Sequence, residues 1–275
     1  PRRYPHRRPG RPHRPVKLSI VTPSLNQLPF LRETATSVLS QTGPFDLEWI
    51  VTDGGSTDGT ADWLQSQSDP RLAWTSAPDR GQSDAINKGL ARAAGDVVAW
   101  LNADDLYEPG ALAAVAEAFA AHPAAQWLVG RYTVIDAAGR PIRGRVVRYK
   151  ERRLARYTYG RLLRENVVPQ MATFWRRDFG QSVGPLDESL HWTMDYDLWL
   201  RMGQVADPLL LDRLLAKFRL HATSKSGAFD RRQFDEQYAV ACRYFDQGDG
   251  WGRLVHRLNV EKVVFAYRAM RLVGR

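Results

Sequence analysis

The sequence predicts an α/β domain built on a mixed, mainly parallel sheet. Three short apolar runs are each followed by a helical pattern, which is typical of parallel strands joined by crossover helices. These runs span residues 16–21, 47–52 and 72–75. A fourth apolar run, at residues 97–101, has the length and composition of a buried parallel strand. Two further strand patterns, at 126–135 and 142–149, are joined by a turn-forming sequence, so we also expect an antiparallel hairpin.

The helices follow from the spacing of apolar residues between the strands. Apolar side chains recur at helical spacing in residues 28–39 and in the Ala-rich residues 111–121. In the third strand–helix unit, Ser83 and Asp84 are expected to cap the helix. The remaining predicted elements are a helix ending near residue 64, a basic helix at 150–164, a strand at 173–176, a helix at 196–202, an apolar stretch at 209–220 and two helices after residue 230.

The composition is that of a globular protein with a sizeable core. The 275 residues are 44% hydrophobic and 25% charged. The single cysteine, Cys242, excludes a disulfide framework and a multi-cysteine zinc site, and it is compatible with a reducing compartment. No apolar run reaches the roughly 18 residues needed to cross a bilayer, and no signal peptide is visible. We therefore expect a cytoplasmic protein.

The net charge of +9 is distributed unevenly along the chain. Residues 1–17 carry +7, residues 143–164 carry +8 and residues 251–275 carry +5, so the rest of the chain carries −11. An acidic core with basic appendages fits a metal-dependent site that has basic contacts to phosphates or to anionic lipid.

Three regions are expected along the chain. Residues 1–15 are rich in proline and arginine and lack apolar periodicity, so we interpret them as a disordered basic arm. Residues 16–226 form the α/β domain, and residues 227–275 form a helical C-terminal extension. The last helix mixes apolar and basic residues. It either lies on an anionic membrane or packs on the domain with its basic face exposed.

A polar cluster, Asn-Ala-Asp-Asp at residues 102–105, directly follows the apolar run at 97–101. The carboxyl end of a buried parallel strand is where open α/β sheets bind their ligands. Hard cations take oxygen ligands, and Mg²⁺ is commonly held by one or two carboxylates together with substrate phosphates. We expect Asp104 to hold a divalent cation and, through it, a diphosphate. Asp105 is either a second ligand or the cap of a helix that begins near Pro109.

Five motifs occur in one order and spacing. They are VTPSLN from Val21, DGGSTDGT from Asp53, GQSDAINKGLARAAGDVVAWLNADD from Gly81, PQMATFWRR from Pro169 and MDYDLWLR from Met194. Together they make residues 16–226 resemble the family 2 glycosyltransferases, an inverting group with the GT-A fold that includes bacterial enzymes of surface-polysaccharide assembly. The resemblance implies a nucleotide-diphosphate sugar donor of the UDP, GDP or dTDP type and a divalent cation, Mn²⁺ or Mg²⁺. It also implies a single displacement that inverts the anomeric centre.

The resemblance implies roles for individual residues. Asp195 matches the catalytic base of the family. The nucleotide-binding positions of the family are matched by Pro23, Ser24, Asp53, Asp84, Lys88, Asn102 and Ala103. Asp104 matches the metal-binding aspartate, and His221 resembles a late histidine that completes metal or diphosphate binding in many GT-A enzymes. Gln170 and Trp192 are candidates for the acceptor side, because the indole of a tryptophan can stack on a sugar ring.

Two positions depart from the family pattern. Asn102 stands where the metal motif usually begins with an aspartate, and its amide brings no charge. The cation therefore depends on Asp104, with help from His221 or from the diphosphate itself. Met194 precedes the expected base, at a position where the family often has an acid.

Alternatives remain open at the level of the residues and of the function. By spacing alone Asp197 is as good a base as Asp195, and both aspartates could instead be caps or partners of Arg201. A nucleotidyltransferase would need a Gly-rich basic loop after its first strand, which TPSLNQ from Thr22 lacks. The basic segments also suggest a nucleic-acid- or membrane-binding module. We expect instead sugar transfer to a glycan or lipid-linked glycan, without a nucleic-acid partner and with a peripheral contact to the inner membrane face.

Overall fold

The computed structural model describes residues 15–222, 224–225 and 231–272, with side chains as far as residue 265. The strands are β1 (Val16–Ser24), β2 (Phe45–Asp53), β3 (Leu72–Ser76), β4 (Val97–Trp100), β5 (Leu106–Tyr107), β6 (Trp127–Ile135), β7 (Pro141–Ile142), β8 (Thr173–Arg176) and β9 (Leu209–Arg219). The helices are α1 (Leu28–Leu39), α2 (Thr60–Gln65), α3 (Gln82–Arg92), α4 (Ala111–Ala121), α5 (Gly144–Leu154), α6 (Tyr159–Leu162), α7 (Arg177–Val183), α8 (Met194–Val205), α9 (Arg231–Cys242) and α10 (Gly250–Leu272). A 3₁₀ turn at Gln170–Ala172 precedes β8.

Nine strands of the described residues form one mixed sheet. Its order is β3-β2-β1-β4-β8-β6-β9-β5, with β7 beside β6. Strands β3, β2, β1 and β4 pair in parallel, as do β6 and β9, whereas β8 is antiparallel to both of its neighbours. The predicted α/β fold with a mixed sheet is confirmed. Because β1, β2 and β4 are adjacent and parallel, the polar loops that follow them lie at one edge of the sheet.

The sheet is covered on both faces. Along β4, Val97 and Ala99 belong to one buried apolar cluster, while Val98 and Trp100 belong to a second. Side chains alternate between the faces of a strand, so a continuous apolar run such as this one requires packing on both sides.

A stack of tryptophans fixes α8 on one of these faces. The ring of Trp199 is stacked 5.6 Å from Trp100 and 6.0 Å from Trp127, and Trp175 meets it edge-on at 5.9 Å. Trp199 is fully buried. Trp199 is therefore part of the core and is not available to stack on a sugar ring. The stack joins the middle of α8 to the end of β4.

The predicted strand at 142–149 is wrong. Only Pro141–Ile142 extends the hairpin, and α5 begins at Gly144. Val147 and Leu154, two helical turns apart, are the buried residues of α5, whereas Tyr149 is half exposed. The buried apolar residues are therefore spaced as in a helix, and a short run rich in valine does not reveal that spacing.

The predicted cap of α3 is also wrong. Gly81 occupies the N-cap position without any side-chain hydrogen bond, and Ser83 and Asp84 lie inside the first turn. The basic helix predicted at 150–164 is wrong as one element, because α5 ends at Leu154 and the short α6 begins only at Tyr159. The other predicted elements agree with the structure to within a few residues, and both predicted C-terminal helices are present. The basic arm lies almost entirely outside the described residues. No helix among the described residues is both long and apolar enough to cross a membrane.

Candidate functional site

The loop after β4 brings Asp104 against a residue that is distant in sequence. Oδ2 of Asp104 lies 2.9 Å from Nε2 of His221, and the two side chains are only 11% and 5% exposed. This separation suits a hydrogen bond. It also suits two neighbouring ligands of one octahedral ion, which lie about 3.0 Å apart when each bond is about 2.1 Å.

The pair fits a divalent cation as part of a larger ligand set. Within the described ranges, no group of three or more acidic, histidine or cysteine side chains is arranged to hold a metal ion. A carboxylate and an imidazole would therefore be the protein's contribution. Phosphate oxygens and water are the ligands that commonly complete such a site.

Asp105 faces away from this pair. Its Oδ1 accepts a hydrogen bond from the backbone N–H of Arg219 at 2.9 Å, and its Oδ2 accepts one from the amide of Asn102 at 3.2 Å. Burial, together with the charge of Asp104, raises the pKa of the Asp105 carboxyl well above its usual range. Both carboxylate oxygens of Asp105 are thus bound to protein donors.

The alternative role of Asp105 as a helix cap is wrong, because α4 begins at Ala111 after Gly110.

A buried arginine holds the loop in this arrangement. Arg219 is 1% exposed, and its guanidinium donates to the Asp104 carbonyl at 2.9 Å and to the Ala137 carbonyl at 3.0 Å. It also forms an ion pair with Glu33 of α1. The guanidinium lies 4.9 Å from the ring of Phe30, which in turn packs 4.6 Å from the imidazole of His221.

Arg219 therefore positions both members of the Asp104–His221 pair. Nothing in the sequence around Arg219 indicates that its side chain is buried.

An amide network joins the expected nucleotide side to the expected acceptor side. Asn102 accepts from Gln82 at 2.9 Å and donates to Gln170 at 3.2 Å. Gln170 in turn donates to the carbonyl of Trp100 at 2.6 Å. The neighbouring Ala103 is buried, and its carbonyl accepts from a threonine of α1. Asn102 and Gln170 are thus neighbours. Gln82 also belongs to this network, although the sequence motifs did not indicate it as a site residue.

The ends of β1 and β2 lie side by side at the same edge of the sheet. Pro23 and Ser24 are paired in register with Thr52 and Asp53. The carboxylate of Asp53 accepts from the backbone of Ser56 at 2.9 Å and from the hydroxyl of Ser76 at 2.6 Å, so it shapes its own loop. Among the described residues, the buried hydroxyl of Ser24 has no hydrogen-bond partner.

On α3, Asp84 is neutralised by two cations. It lies 2.7 Å from the ammonium group of Lys88 and 3.0 Å from the guanidinium of Arg80. The hydrogen bond from Lys88 is the main cause that lowers the pKa of Asp84. Asp84 is buried, whereas the Lys88 and Arg80 side chains are 53% and 74% exposed. The groups that this region offers to an anion are therefore the two cations, Lys88 on α3 and Arg80 in the loop just before it, and Asp84 orients them.

The first turn of α8 distinguishes its two aspartates. Asp197 is buried, lies 2.9 Å from Arg201 and accepts from the hydroxyl of Tyr244 at 2.6 Å. Asp195 accepts the backbone N–H of Tyr196 at 2.7 Å. Spacing alone left the two equivalent as bases, but the contacts make Asp197 the structural partner of Arg201.

The environment of Asp195 favours proton transfer. Burial raises the pKa of its carboxyl to about 6, although hydrogen bonds and the nearby Lys150 partly oppose the rise. A carboxylate with a pKa near the working pH is well matched to act as a general base.

Trp192 lies in the segment just before α8, which α9 contacts. The guanidinium of Arg232 on α9 sits 5.3 Å from its ring. The backbone around Trp192 is bound by Glu236, also on α9. Neither α9 residue stands out in the sequence.

The family model of glycosyl transferase family 2 matches residues 19–180, more than half of the chain. An uncharacterized glycosyltransferase of Mycobacterium tuberculosis is 30% identical over 207 residues, covering 73% of this chain and 74% of the relative. A PGL/p-HBAD biosynthesis glycosyltransferase of Mycobacterium bovis is 30% identical over 206 residues, covering 72% and 73%.

Solved structures resemble the fold at low sequence identity. S. aureus TarS 1–349 in complex with UDP-GlcNAc has a TM-score of 0.65 at 16% identity, covering 87% of this chain and 70% of that one. The mannosyltransferase PcManGT from Pyrobaculum calidifontis, in complex with GDP-Man and Mn²⁺, has a TM-score of 0.64 at 18% identity, covering 94% and 81%. These likenesses support the GT-A fold.

The family match agrees with the resemblance that the five motifs carry, and it favours an enzyme over a binding module. The chain belongs to glycosyl transferase family 2 and is a glycosyltransferase that acts on nucleotide sugars.

Proposed function

We propose that the chain transfers a sugar by single displacement with inversion, using Asp195 as the base. The observation that carries this proposal is the contrast in the first turn of α8. Asp197 is bound by Arg201 and Tyr244, whereas the pKa of Asp195 is raised by burial to about 6. A sugar hydroxyl is a poor nucleophile until a positioned base accepts its proton.

The proposed transfer makes one bond at the anomeric carbon and breaks another. The acceptor oxygen forms a bond to the anomeric carbon while its proton passes to the Asp195 carboxylate. The bond between that carbon and the diphosphate oxygen breaks, and the nucleoside diphosphate leaves with the electron pair. Lys88 on α3 and Arg80 in the loop before it are exposed cations that can attract the anionic donor. A divalent cation held by Asp104 and His221 would neutralise charge on the leaving diphosphate.

The donor is a UDP, GDP or dTDP sugar. Structures of two neighbours contain UDP-GlcNAc and GDP-Man, which supports this class without selecting a member. Pro23, Ser24, Asp53 and the Asn102–Ala103 loop would line the nucleotide. Gln170 and Trp192 would meet the acceptor, a glycan or lipid-linked glycan of the bacterial surface.

Asp195→Asn should abolish turnover and also stabilise the fold. Transfer should fall by about 10²- to 10⁴-fold, the usual contribution of a general base, while UDP binding is kept. In the wild type, kcat should fall as the pH drops below about 6, because Asp195 becomes protonated.

The same variant has a predicted stability signature. The folded pKa of Asp195 exceeds its ordinary value, so its stabilising contribution is present below about pH 4 and is lost as the pH rises through about 6. Asp195→Asn should therefore raise the unfolding free energy by about 1–3 kcal/mol at pH 8 but not at pH 4. Asp197→Asn, which breaks the contacts to Arg201 and Tyr244, should lower it at both pH values. Near-wild-type turnover by Asp195→Asn would exclude it as the base.

Asp104→Asn and His221→Ala should each weaken Mn²⁺-dependent binding of UDP by at least about tenfold, since each removes one protein ligand. Isothermal titration calorimetry with UDP, in MnCl₂ and in EDTA, measures this. Asp178→Asn is the control, because that side chain is 88% exposed on α7. The metal assignment is wrong if EDTA leaves wild-type UDP binding unchanged, or if both variants bind as the control does.

An apolar stripe on α10 supports a peripheral membrane contact. Trp251, Leu254, Leu258 and Phe265 recur at helical spacing and are between 48% and 74% exposed. The stripe is accompanied by exposed basic residues of the same helix, which complement an anionic lipid surface.

Sedimentation with vesicles tests this contact. The wild type should bind phosphatidylglycerol vesicles, lose binding in 1 M salt and bind pure phosphatidylcholine weakly. Leu254→Glu with Leu258→Glu should weaken binding by about tenfold or more, because apolar burial is replaced by charge repulsion. Val205→Glu is the control, since it changes an exposed apolar residue on another helix. Equal loss in the control, or none in the double variant, would contradict a contact through α10.

A further inference from the structure

The carboxylate of Glu236 on α9 binds the backbone just before α8. Its Oε1 accepts from the N–H of Trp192 at 2.9 Å and from the N–H and hydroxyl of Thr193 at 2.8 Å each. Its Oε2 accepts from the N–H of His191 at 3.0 Å. One side chain therefore satisfies three consecutive backbone donors.

Glu236 binds the backbone of residues 191–193, which leads into α8. Thr193 is the N-cap residue, but its hydroxyl makes no capping bond within α8 and donates to Glu236 instead. The N–H groups of residues 191 and 192 are not among the unpaired donors of the first helical turn, but backbone donors that are removed from water also need an acceptor. Here the acceptor comes from 43 residues downstream. The geometry of the first turn, which carries Asp195, thus depends on α9.

The other end of this segment is held by α3. The side-chain amide of Asn87 donates to the carbonyl of Leu186 at 3.0 Å and accepts from its N–H at 2.9 Å. Arg80 lies 2.6 Å from Glu188. Residues 186–193 therefore run between the helix expected at the donor and the helix that bears the expected base, and Glu236 fixes the second of these ends.

Glu236 is suited to this role because it stays ionised. Burial alone would raise the pKa of its carboxyl, but hydrogen bonds from His191, Trp192 and Thr193 outweigh that effect and hold the pKa below its usual value. Hydrogen bonds to a charged acceptor are stronger than neutral ones.

We propose that Glu236 is a positioning residue for transfer, which sets where Trp192 and Asp195 meet the acceptor. The proposal rests on the proposed role of Asp195 and adds to it a contribution from α9. The matched family region ends at residue 180, so the contribution comes from outside that region.

The test compares Glu236→Ala and Glu236→Gln with Asp235→Ala as a matched control. Asp235 is the adjacent acid on α9, is exposed and pairs only with Arg231 of the same helix among its described ion pairs. Hydrogen–deuterium exchange gives a readout that does not depend on activity. In Glu236→Ala the amides of residues 191–193 should exchange about tenfold faster or more, while those of α3 keep the wild-type rate.

Kinetics give the second readout, with nucleotide release measured from a panel of UDP, GDP and dTDP sugars in the presence of p-nitrophenyl glycosides. Glu236→Ala should lower kcat by about 10- to 100-fold, because misplacement by about 1 Å can cost 10²-fold. Donor affinity from calorimetry should stay within about twofold. The kcat of Glu236→Gln should lie between those of the wild type and Glu236→Ala, since one amide oxygen can still accept from Trp192 and Thr193.

Three results would overturn the proposal. They are unchanged exchange at residues 191–193, a kcat for Glu236→Ala equal to that of Asp235→Ala, or a loss of donor binding in parallel with turnover. A parallel loss of donor binding and turnover would indicate that Glu236 has only a general structural role. The wild type could instead release no nucleotide from any donor while residues 191–193 still exchange faster in Glu236→Ala. That result would refute the proposed function but not the contact between Glu236 and this segment.

Discussion

The buried guanidinium of Arg219 is the interaction on which the geometry of the site depends. It ties the loop after β4 to α1 through Glu33 and to the hairpin turn through a carbonyl, while its backbone N–H binds Asp105. Breaking a buried charged contact costs about 3–5 kcal/mol when one partner is left uncompensated. Because Arg219 uses the carboxylate of Asp105 but only the carbonyl of Asp104, the carboxylate of Asp104 is left to face His221.

The two halves of the proposed reaction are built on different parts of the chain. In that proposal the strand ends of β1, β2 and β4, together with α3, would supply the donor side. The acceptor side would start at α8, whose middle is packed in the Trp199 stack and whose preceding segment is bound by Glu236 of α9. The helical extension is thus part of the proposed transfer site, through contacts that lie beyond the matched family region.

The sequence predicted most of the fold because apolar periodicity and turn residues are local signals. It also placed Asp104 beside His221, but through a family resemblance and not through spacing. What it missed depends on tertiary contacts. The strand predicted at 142–149 is a helix because burial selects Val147 and Leu154. The burial of Arg219 and the backbone contacts of Glu236 both depend on residues distant in sequence, so no local pattern reveals them.

Two adjacent aspartates have different proposed roles: Asp104 would bind the ion, whereas Asp105 binds the protein backbone. A crystal structure of the protein with UDP and Mn²⁺ tests that division directly. We expect one side-chain atom of Asp104 and one of His221 to lie within about 2.2 Å of the ion. Asp105 should still accept from the backbone N–H of Arg219, as it does at 2.9 Å here. An ion bound by Asp105, or one bound without Asp104, would contradict it.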